Sequence, residues 1–383
     1  MLSLGKEIMI FDGGMGSELA KAGISYTVPE DLNITNPDVI QGIHKSYKDA
    51  DFITTNTFGL NKIKYKGAYP IADVAVKAVE NARVSGKLVF FDIGPTGKLL
   101  KPMGTLTFDE AYDAFKEVVL ASRDLVDGYI IETFSDLYEL KAAVLAVKEN
   151  SDKPVFATMT FDKTARTLTG TTPEIMVALL EELKVDALGV NCSLGPKELY
   201  PVVGRIVNAS HTPVIIQPNR GLPKLVNGRS CYDLTVEEFT DSVKEFTEMG
   251  VSVIGGCCGT DPSFISSISQ FKGRPVRIRS VPDTQLICSY SKYVVLSDDA
   301  EISELKVDCD LSVDECEDIA YDVLDLVDDG ADIINIIDTG AEPEVIKALV
   351  EKIQEFTNVA LKLISDNADA VNLFKRYYNG KSN

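Results

Sequence analysis

Short apolar runs recur along the chain, and small or polar residues follow each of them. The segments between the runs have apolar residues at helical spacing, and the one that starts at Thr235 carries Glu three positions later, a capping-box pattern. Alternating strands and helices are typical of parallel βα units, and eight units in about 270 residues match a (β/α)₈ barrel. We therefore predict a TIM barrel over residues 1–285, with strands that begin at Ile8, Asp51, Lys87, Gly128, Pro154, Ala187, Pro213 and Val251.

Three cysteines follow the predicted strands at their carboxyl ends. In a barrel these ends meet at one face, where barrel enzymes place their chemistry. Cys192 follows the sixth strand, and Cys257 and Cys258 follow the eighth, two strands away around the rim. Adjacent cysteines make a poor disulfide, because the bridge would strain the peptide between them. Three thiolates at one rim indicate a zinc site with an open fourth position, and the alternative is three separately buried thiols.

Composition narrows the class of protein. The seven cysteines are an odd number, and the apolar stretch near the amino terminus is too short for a signal peptide. No apolar run approaches the roughly 18 residues that a membrane span requires. The formal net charge of −20 disfavours nucleic acid as a partner, because phosphate binding needs a basic surface. We therefore expect a cytoplasmic globular protein with free thiols, no membrane segment and no nucleic-acid partner.

Acidic residues are concentrated between Ser297 and Glu342. This stretch holds 17 Asp and Glu against one Lys, so its net charge of −16 (1 minus 17) accounts for most of the charge of the chain. Such a stretch is either a solvated acidic face or a docking surface for a basic partner. The composition alone leaves both interpretations open.

Six segments occur in the order and spacing of a known family. They are FDGGMGSEL, ITTNTFG, IETFSDLYE, GVNCSLGP, QPNRGLP and GGCCGT. From residue 8 to about residue 275, the chain resembles the zinc-dependent homocysteine S-methyltransferases, and DIGPTGKLLKPMG is most similar to the amino-terminal domain of cobalamin-dependent methionine synthase. The pairing of NC with GGCC is the most specific of these motifs. The resemblance implies a methyltransferase that acts on homocysteine.

The same resemblance implies a catalytic zinc site. Cys192, Cys257 and Cys258 would bind the zinc, and the zinc would take the sulfur of homocysteine and favour its nucleophilic thiolate form. Asn219 is either a simple turn former or the residue whose oxygen caps the zinc before the substrate arrives. Betaine-using relatives have a Tyr where this chain has Thr133, which favours the cobalamin-linked branch of the family.

Two carboxylates and one turn are candidates for holding the rest of the substrate. Asp12 and Glu132 can accept hydrogen bonds from its ammonium group, and the resemblance implies this role for both. The turn amides of Gly13, Gly14 and Met15 are candidates for its carboxylate. From the residues alone, Asp12 could instead form an Asx turn and Glu132 could cap a surface helix.

The resemblance leaves the methyl donor open. The chain has only two histidines, and no segment resembles a cobalamin-binding domain with its histidine ligand loop. We therefore expect methylcobalamin to reside on a separate corrinoid protein that supplies the methyl group. The alternatives are a small donor, such as S-methylmethionine or a betaine, and a noncatalytic zinc-barrel subunit of a corrinoid methyltransferase complex.

Residues 290–383 are predicted to form a small acidic α/β domain. VDDGADIINI and NLFKRYYNGKS resemble the first βα units of the pterin-binding barrel of methionine synthase, but the repeats stop far short of eight. The runs KYVVL, ADIINIID and VALKLIS predict three strands that alternate with helices. Three strands cannot close a barrel, so we expect their open edge and face to be buried against the barrel, a second copy in a homodimer or the corrinoid protein. We expect no folate binding.

Overall fold

Eight parallel strands close into a barrel in the computed structural model, which describes residues 3–222, 224–226, 229–296 and 299–382. The barrel strands and one antiparallel hairpin are, in chain order, β1 Met9–Ile10, β2 Phe52–Thr54, β3 Leu88–Ile93, β4 Gly128–Phe134, β5 Val155–Met159, β6 Ala187–Asn191, β7 Val214–Gln217, the hairpin β8 Lys224–Val226 and β9 Arg229–Cys231, and β10 Val253–Ile254. The barrel order is β1-β10-β7-β6-β5-β4-β3-β2, and a parallel bridge between Phe11 and Phe52 joins its two ends. All eight predicted strands are present, and the predicted fold class is confirmed.

Helices connect the barrel strands and form its outer layer. They are α1 Met15–Ala22, α2 Leu32–Thr35, α3 Pro37–Ser46, α4 Ile71–Arg83, α5 Phe108–Ser122, α6 Leu137–Lys148, α7 Pro173–Glu182, α8 Pro196–Ala209, α9 Val236–Met249 and α10 Pro262–Ile268. Thr235 and Glu238 form the predicted capping box at the start of α9. Within the described residues, no helix has both the length and the hydropathy that a membrane crossing needs.

Aromatic rings fill the amino-terminal half of the barrel interior. Phe11 stacks on Phe52 with ring centroids 4.7 Å apart, and Phe90 lies 4.8 Å from Phe156. All four side chains are fully buried. Because side chains alternate along a strand, the residue two positions after Phe90, which is Asp92, faces the interior one layer closer to the carboxyl-terminal rim. The barrel therefore has an apolar floor with polar groups directly above it.

The rest of the chain forms two small sheets. After the barrel come β11 Leu286–Ser289, β12 Tyr293–Val295, β13 Ile302–Val307, α11 Cys316–Asp328, β14 Ile333–Asp338, α12 Pro343–Phe356, β15 Ala360–Ile364, α13 Ala368–Tyr377 and β16 Gly380–Lys381. One sheet is parallel, with the order β13-β14-β15, and the other is antiparallel, with the order β12-β11-β16. The three predicted helices are present in this part of the chain, which we call the tail.

One predicted strand belongs to a different sheet. KYVVL, predicted as one of the three strands of the α/β unit, forms β12 and pairs antiparallel with β11. The first parallel strand is β13, whose side chains alternate between exposed and half-buried until Val307. A strand with so few buried positions gives only a weak apolar run, which explains the error. The other two predicted strands, ADIINIID and VALKLIS, form β14 and β15 of the parallel sheet.

The tail packs on the outer wall of the barrel. Lys141 of α6 is buried, and its Nζ donates to the backbone oxygens of Lys375 and Tyr378, near the end of α13. The hydroxyl of Tyr138 donates to the backbone oxygen of Tyr377 at 2.6 Å. These contacts place the end of the tail against the first turns of a barrel helix. Burial against the barrel, one of the expected arrangements, is therefore present within a single chain.

The face of the parallel sheet is covered in part by the antiparallel sheet. Ile287 of β11, Ile333 of β14 and Ala360 of β15 form a buried cluster, with Val294 and Leu296 packed beside it. Because the antiparallel sheet already buries part of this face, less of it is left for a second subunit to cover. Among the acidic residues that the structure describes between positions 299 and 342, every side chain is exposed except that of Asp338, which is half-buried. The acidic stretch is therefore a solvated face in the single chain.

Candidate metal and substrate site

Three cysteine sulfurs converge at the carboxyl-terminal rim of the barrel. Cys192 directly follows β6, and Cys257 and Cys258 follow β10, with β7 between the two strands. The Sγ atoms of Cys192 and Cys258 lie 3.8 Å apart, and all three Sγ atoms lie within 4.8 Å of one another. Each of the three side chains is half-buried. The structure therefore brings together the three cysteines that the sequence singled out.

Backbone hydrogen bonds hold the two cysteine turns in place. The amide of Cys192 donates to Gln217 O at 3.0 Å, and the amide of Cys257 donates to Pro218 O at 2.9 Å. Cys192 itself has φ of 59°, in the left-handed region that non-glycine residues rarely occupy. A conformation of this kind persists only where the surroundings fix it. The sulfurs are thus positioned by the barrel frame itself.

The protonation of the three thiols fits a cation site. Hydrogen bonds with Cys192 and Cys257 lower the pKa of Cys258 to about 3. Hydrogen bonding to Cys192 and Cys258, followed by burial, raises the pKa of Cys257 well above its usual range. Sulfurs this close cannot all carry negative charge unless a positive charge lies among them. Three convergent cysteines of this type match the soft ligands that zinc prefers.

Asn219 lies on the segment between the two cysteine turns. Its amide donates to Leu194 O at 3.1 Å, and the next amide, that of Arg220, donates to Cys258 O at 3.0 Å. The Asn219 side chain is 3% exposed, and its Oδ1 has no hydrogen-bond partner among the described residues. A buried oxygen without a donor is costly, and in a native structure it often marks a missing ion, water or ligand. This oxygen is therefore open to an ion or ligand.

Three carboxylates lie together above the aromatic floor. Asp12 accepts hydrogen bonds at 2.8 Å from both the amide and the hydroxyl of Thr54. These bonds lower the pKa of Asp12, but burial has the larger effect and raises it to about 7. Burial, and after it the charge of Asp12, raises the pKa of Glu132 to about 8. Burial, followed by the charge of Glu132, also raises the pKa of Asp92 well above its usual range. A bound cation would stabilise the charged forms of this group.

The turn that follows β1 packs against the second cysteine turn. A Cβ atom at Gly14 would lie 2.8 Å from Cys257 O, so only glycine permits this approach. The amide of Gly14 reaches Thr260 O at 3.3 Å, and Met15 begins α1, whose first turn has no side-chain cap. Helix amino termini of this kind attract anions through their free amides. Of the three predicted carboxylate-binding amides, those of Gly13 and Met15 are better placed to serve a ligand than that of Gly14.

Sequence reasoning missed three residues at this site. Asp92 is 5% exposed, and its Oδ1 has no partner among the described residues. Asn191 is fully buried and bonds to Glu132, and Tyr232 packs on the second cysteine turn, where a Cβ at Gly259 would lie 2.5 Å from its Cδ2. Period-two alternation from Phe90 could have revealed Asp92. Asn191 is the first residue of the NC motif, but the motif gave it no role, and no local pattern signals Tyr232.

Comparison with known proteins gives a consistent assignment. A family model described as homocysteine S-methyltransferase matches residues 9–271. The methionine synthase of Mycobacterium tuberculosis (strain ATCC 25618 / H37Rv) is 34% identical over 295 residues, which are 70% of this chain and 25% of that protein. The methionine synthase of Mycobacterium leprae (strain TN) is 33% identical over 296 residues, which are 70% of this chain and 24% of that protein. The chain thus spans about a quarter of the length of these relatives.

Solved structures support the fold. The homocysteine methyltransferase MmuM from Escherichia coli, in its metallated form, superposes with a TM-score of 0.60 at 20% identity, over 69% of this chain and 96% of that one. At this identity the match shows the barrel architecture alone. The family model, in contrast, covers more than half of the sequence and includes all three rim cysteines. The chain therefore belongs to the homocysteine S-methyltransferase family.

Proposed function

We propose that the barrel transfers a methyl group to the thiol of homocysteine and so forms methionine. The observation that carries this proposal is the pairing of a three-sulfur cluster with a carboxylate pocket on one rim. The first part suits a metal that activates a thiol, and the second suits an ammonium group. Homocysteine carries both a thiol and an ammonium group. Family membership supports the same substrate.

Cys192, Cys257 and Cys258 would hold a zinc ion. The fit rests on the sulfurs lying within 4.8 Å of one another and on the unpartnered Oδ1 of Asn219 beside their turns. Three cysteine ligands leave one tetrahedral position for an exchangeable group, which is typical of a catalytic zinc site. When bound, zinc lowers the pKa of a coordinated thiol and so favours its nucleophilic form at neutral pH. Asn219 would occupy the open position before substrate binds.

The carboxylates and the first turn would hold the amino-acid end of the substrate. Asp12 and Glu132 accept hydrogen bonds from the ammonium, and the burial of Asp12 beside the half-buried Glu132 limits competing water. The amides of Gly13 and Met15, at the uncapped start of α1, bind the carboxylate. Gly14 contributes by allowing this turn to touch the cysteine turn. Fixing both ends of the substrate orients its sulfur for attack on the methyl group.

The methyl donor is proposed to be a separate methylated corrinoid protein. Two features support this choice over a betaine: Thr133 stands where betaine-using relatives have Tyr, and DIGPTGKLLKPMG is most similar to cobalamin-dependent methionine synthase. The exposed acidic face of the tail is available to a basic surface of such a protein. An association through that face would weaken as salt concentration rises, because salt screens exposed charges. A homodimer is a weaker proposal, since the tail already packs on its own barrel.

A donor assay tests the proposal directly. Purified zinc-loaded protein would be incubated with homocysteine and, in parallel, with a methylated corrinoid protein, free methylcobalamin, a betaine or S-methylmethionine, and methionine would be measured. We expect methionine from the corrinoid donors and none from the Cys257→Ala variant. Methionine from a small donor alone would replace the corrinoid part of the proposal. Failure of every donor, together with no homocysteine binding in calorimetry, would overturn the proposed function.

A further inference from the structure

A single buried amide lies between the substrate pocket and the first zinc-site cysteine. Asn191 ends β6 and is fully buried. Its Nδ2 donates to Glu132 Oε2 at 2.7 Å and to Thr133 Oγ1 at 2.7 Å. Its Oδ1 accepts from the amide of Thr133 at 2.9 Å and from the hydroxyl of Thr158 at 2.8 Å. Both donors and both acceptor sites of the amide are therefore used.

The orientation of this amide is fixed by its partners. The backbone N–H of Thr133 can only donate, so the atom that faces it must be the amide oxygen, Oδ1. The nitrogen then faces Glu132. A flipped amide would leave two donors facing each other, and an aspartate would have no proton to give to Glu132. Among the common side chains of this size, only asparagine satisfies both sides.

The amide also spans two strained positions. Thr133, which immediately follows Glu132, has φ of 66°, and Cys192, which immediately follows Asn191, has φ of 59°. Left-handed backbone at non-glycine residues costs free energy and needs fixed surroundings. The bond from the Thr133 amide to Asn191 holds the first of these two residues from outside its own strand. Glu132 thus depends on Asn191 through both its side chain and its neighbouring backbone.

We propose that Asn191 is a positioning residue that aims the Glu132 carboxylate at the substrate ammonium. The inference rests on the proposed function, because it takes homocysteine as the ligand. Asn191 touches neither the substrate nor the metal in this role. It acts through Glu132. Because Asn191 directly precedes Cys192 in the chain, one peptide bond connects the ammonium site to the metal site.

Asn191→Asp is the sharpest variant. The aspartate still accepts from the Thr133 amide and from Thr158, so the turn remains supported, but it cannot donate to Glu132. When the substrate ammonium is bound and Glu132 is charged, two acceptor oxygens then face each other, and Glu132 must turn away or be bridged. We expect homocysteine to bind about tenfold or more weakly, the range for loss of a charge-assisted contact, with zinc content close to wild type and a lower thermal midpoint, because a new buried carboxylate is costly. Calorimetry on zinc-loaded protein and metal analysis measure these quantities.

An analogue of homocysteine that lacks the amino group separates positioning from general damage. It keeps the thiol and the carboxylate but has nothing for Glu132 to hold. We expect Asn191→Asp to bind this analogue within about twofold of wild type, because its other contacts are unchanged. An equal loss for homocysteine and the analogue would mean a merely structural role and would overturn the inference. Thr158→Val serves as the matched control, since it removes a bond to Asn191 on the side away from Glu132.

A double-mutant cycle gives the second test. In the Glu132→Gln background, Asn191→Asp should weaken homocysteine binding by less than about twofold, because residues that act through one another are not additive. A full tenfold effect in that background would show that Asn191 acts elsewhere. If wild-type protein binds no homocysteine, the proposed function fails, and this inference fails with it. If wild type binds and Asn191→Asp binds equally well, only the inference fails.

Discussion

The barrel and the tail are built from the same βα unit, but the polar side chains at their strand ends have different hydrogen-bond partners. In the tail, Asp338 ends β14, and its carboxylate accepts from the amides of Gly340 and Ala341 and from the hydroxyl of Ser365. In the barrel, Oδ1 of Asp92 and Oδ1 of Asn219 are buried without a partner among the described residues. Polar groups that bond to their own turns stabilise a fold, whereas buried unpartnered groups at a rim are free to bind a ligand. At these strand ends, the barrel therefore has polar atoms open to a ligand, whereas the tail carboxylate is bonded to its own turn.

Closure of the sheet explains this difference. Eight strands bring distant strand ends to one rim, so that Cys192 and Cys258 approach within 3.8 Å across 66 residues of sequence. Three strands bring only neighbouring ends together, and β13 has a partner on only one side among the described residues. Variants of the barrel rim should therefore change metal and substrate binding, whereas variants of the tail should change only local stability.

The largest expected effect is the loss of the metal. Cys257→Ala should bind less than one zinc per chain and lose methyl transfer by about a thousandfold or more, because no other group can bring the substrate thiol to its reactive form. The barrel should stay folded, since its core does not depend on one ion. Cys309→Ala, an exposed cysteine of the tail, is the matched control and should keep full zinc and activity. Full zinc in Cys257→Ala, by metal analysis, would refute the site.

Glu132→Gln should have the next largest effect. It removes the charge from one acceptor of the substrate ammonium, which weakens homocysteine binding by about 1.5 to 3 kcal/mol, or roughly 10- to 100-fold. Zinc content should not change. Asp338→Asn alters the corresponding kind of strand-end carboxylate in the tail and should leave homocysteine binding unchanged. Unchanged calorimetric affinity in Glu132→Gln would remove Glu132 from the substrate site.

Weakening the attachment of the tail to the barrel should have a smaller effect, confined to the stability of the tail. Lys141→Met keeps the length of the side chain but removes the donor to the backbone oxygens of Lys375 and Tyr378. Each buried acceptor left unsatisfied costs about 1 to 3 kcal/mol, so amide hydrogen exchange should accelerate in α13 and β16. Homocysteine binding and zinc content should be unaffected. Faster exchange spread evenly over the barrel strands would show that barrel and tail unfold as one unit.

The sequence predicted more of the barrel than of the tail for a physical reason. Most residues of the eight barrel strands are buried, so their apolar runs stand out, and parallel closure alone places Cys192 near Cys257. β13 of the tail is largely exposed, and nothing local indicates that β12 pairs with β11 instead. Asn191 was missed because its main partner, Glu132, lies 59 residues away and two strands along the sheet. Such contacts depend on three-dimensional register, which no local period records.

The smallest expected effect is a pH dependence that belongs to the barrel. His44 of α3 is 1% exposed, and neither ring nitrogen has a partner among the described residues. Burial lowers its pKa to about 3 from the usual 6.5. Between pH 3 and pH 6.5 the unfolded chain therefore binds more protons at this position than the folded chain does. The stability associated with neutral His44 is complete above pH 6.5. It falls by up to about 1.4 kcal/mol per unit as the pH drops below that value.

His44→Leu removes this proton-binding group and keeps an apolar side chain in its place. Thermal unfolding of zinc-free protein, which avoids the loss of metal in acid, should show similar midpoints for wild type and His44→Leu at pH 7.5. At pH 5 the variant should melt a few degrees higher, because about 2 kcal/mol of the acid penalty is absent. His211→Leu, at the other histidine, which is exposed, is the matched control. Equal midpoints for wild type and His44→Leu at both pH values would show that His44 is solvated or hydrogen-bonded in solution, and that the acid sensitivity of the barrel has another source.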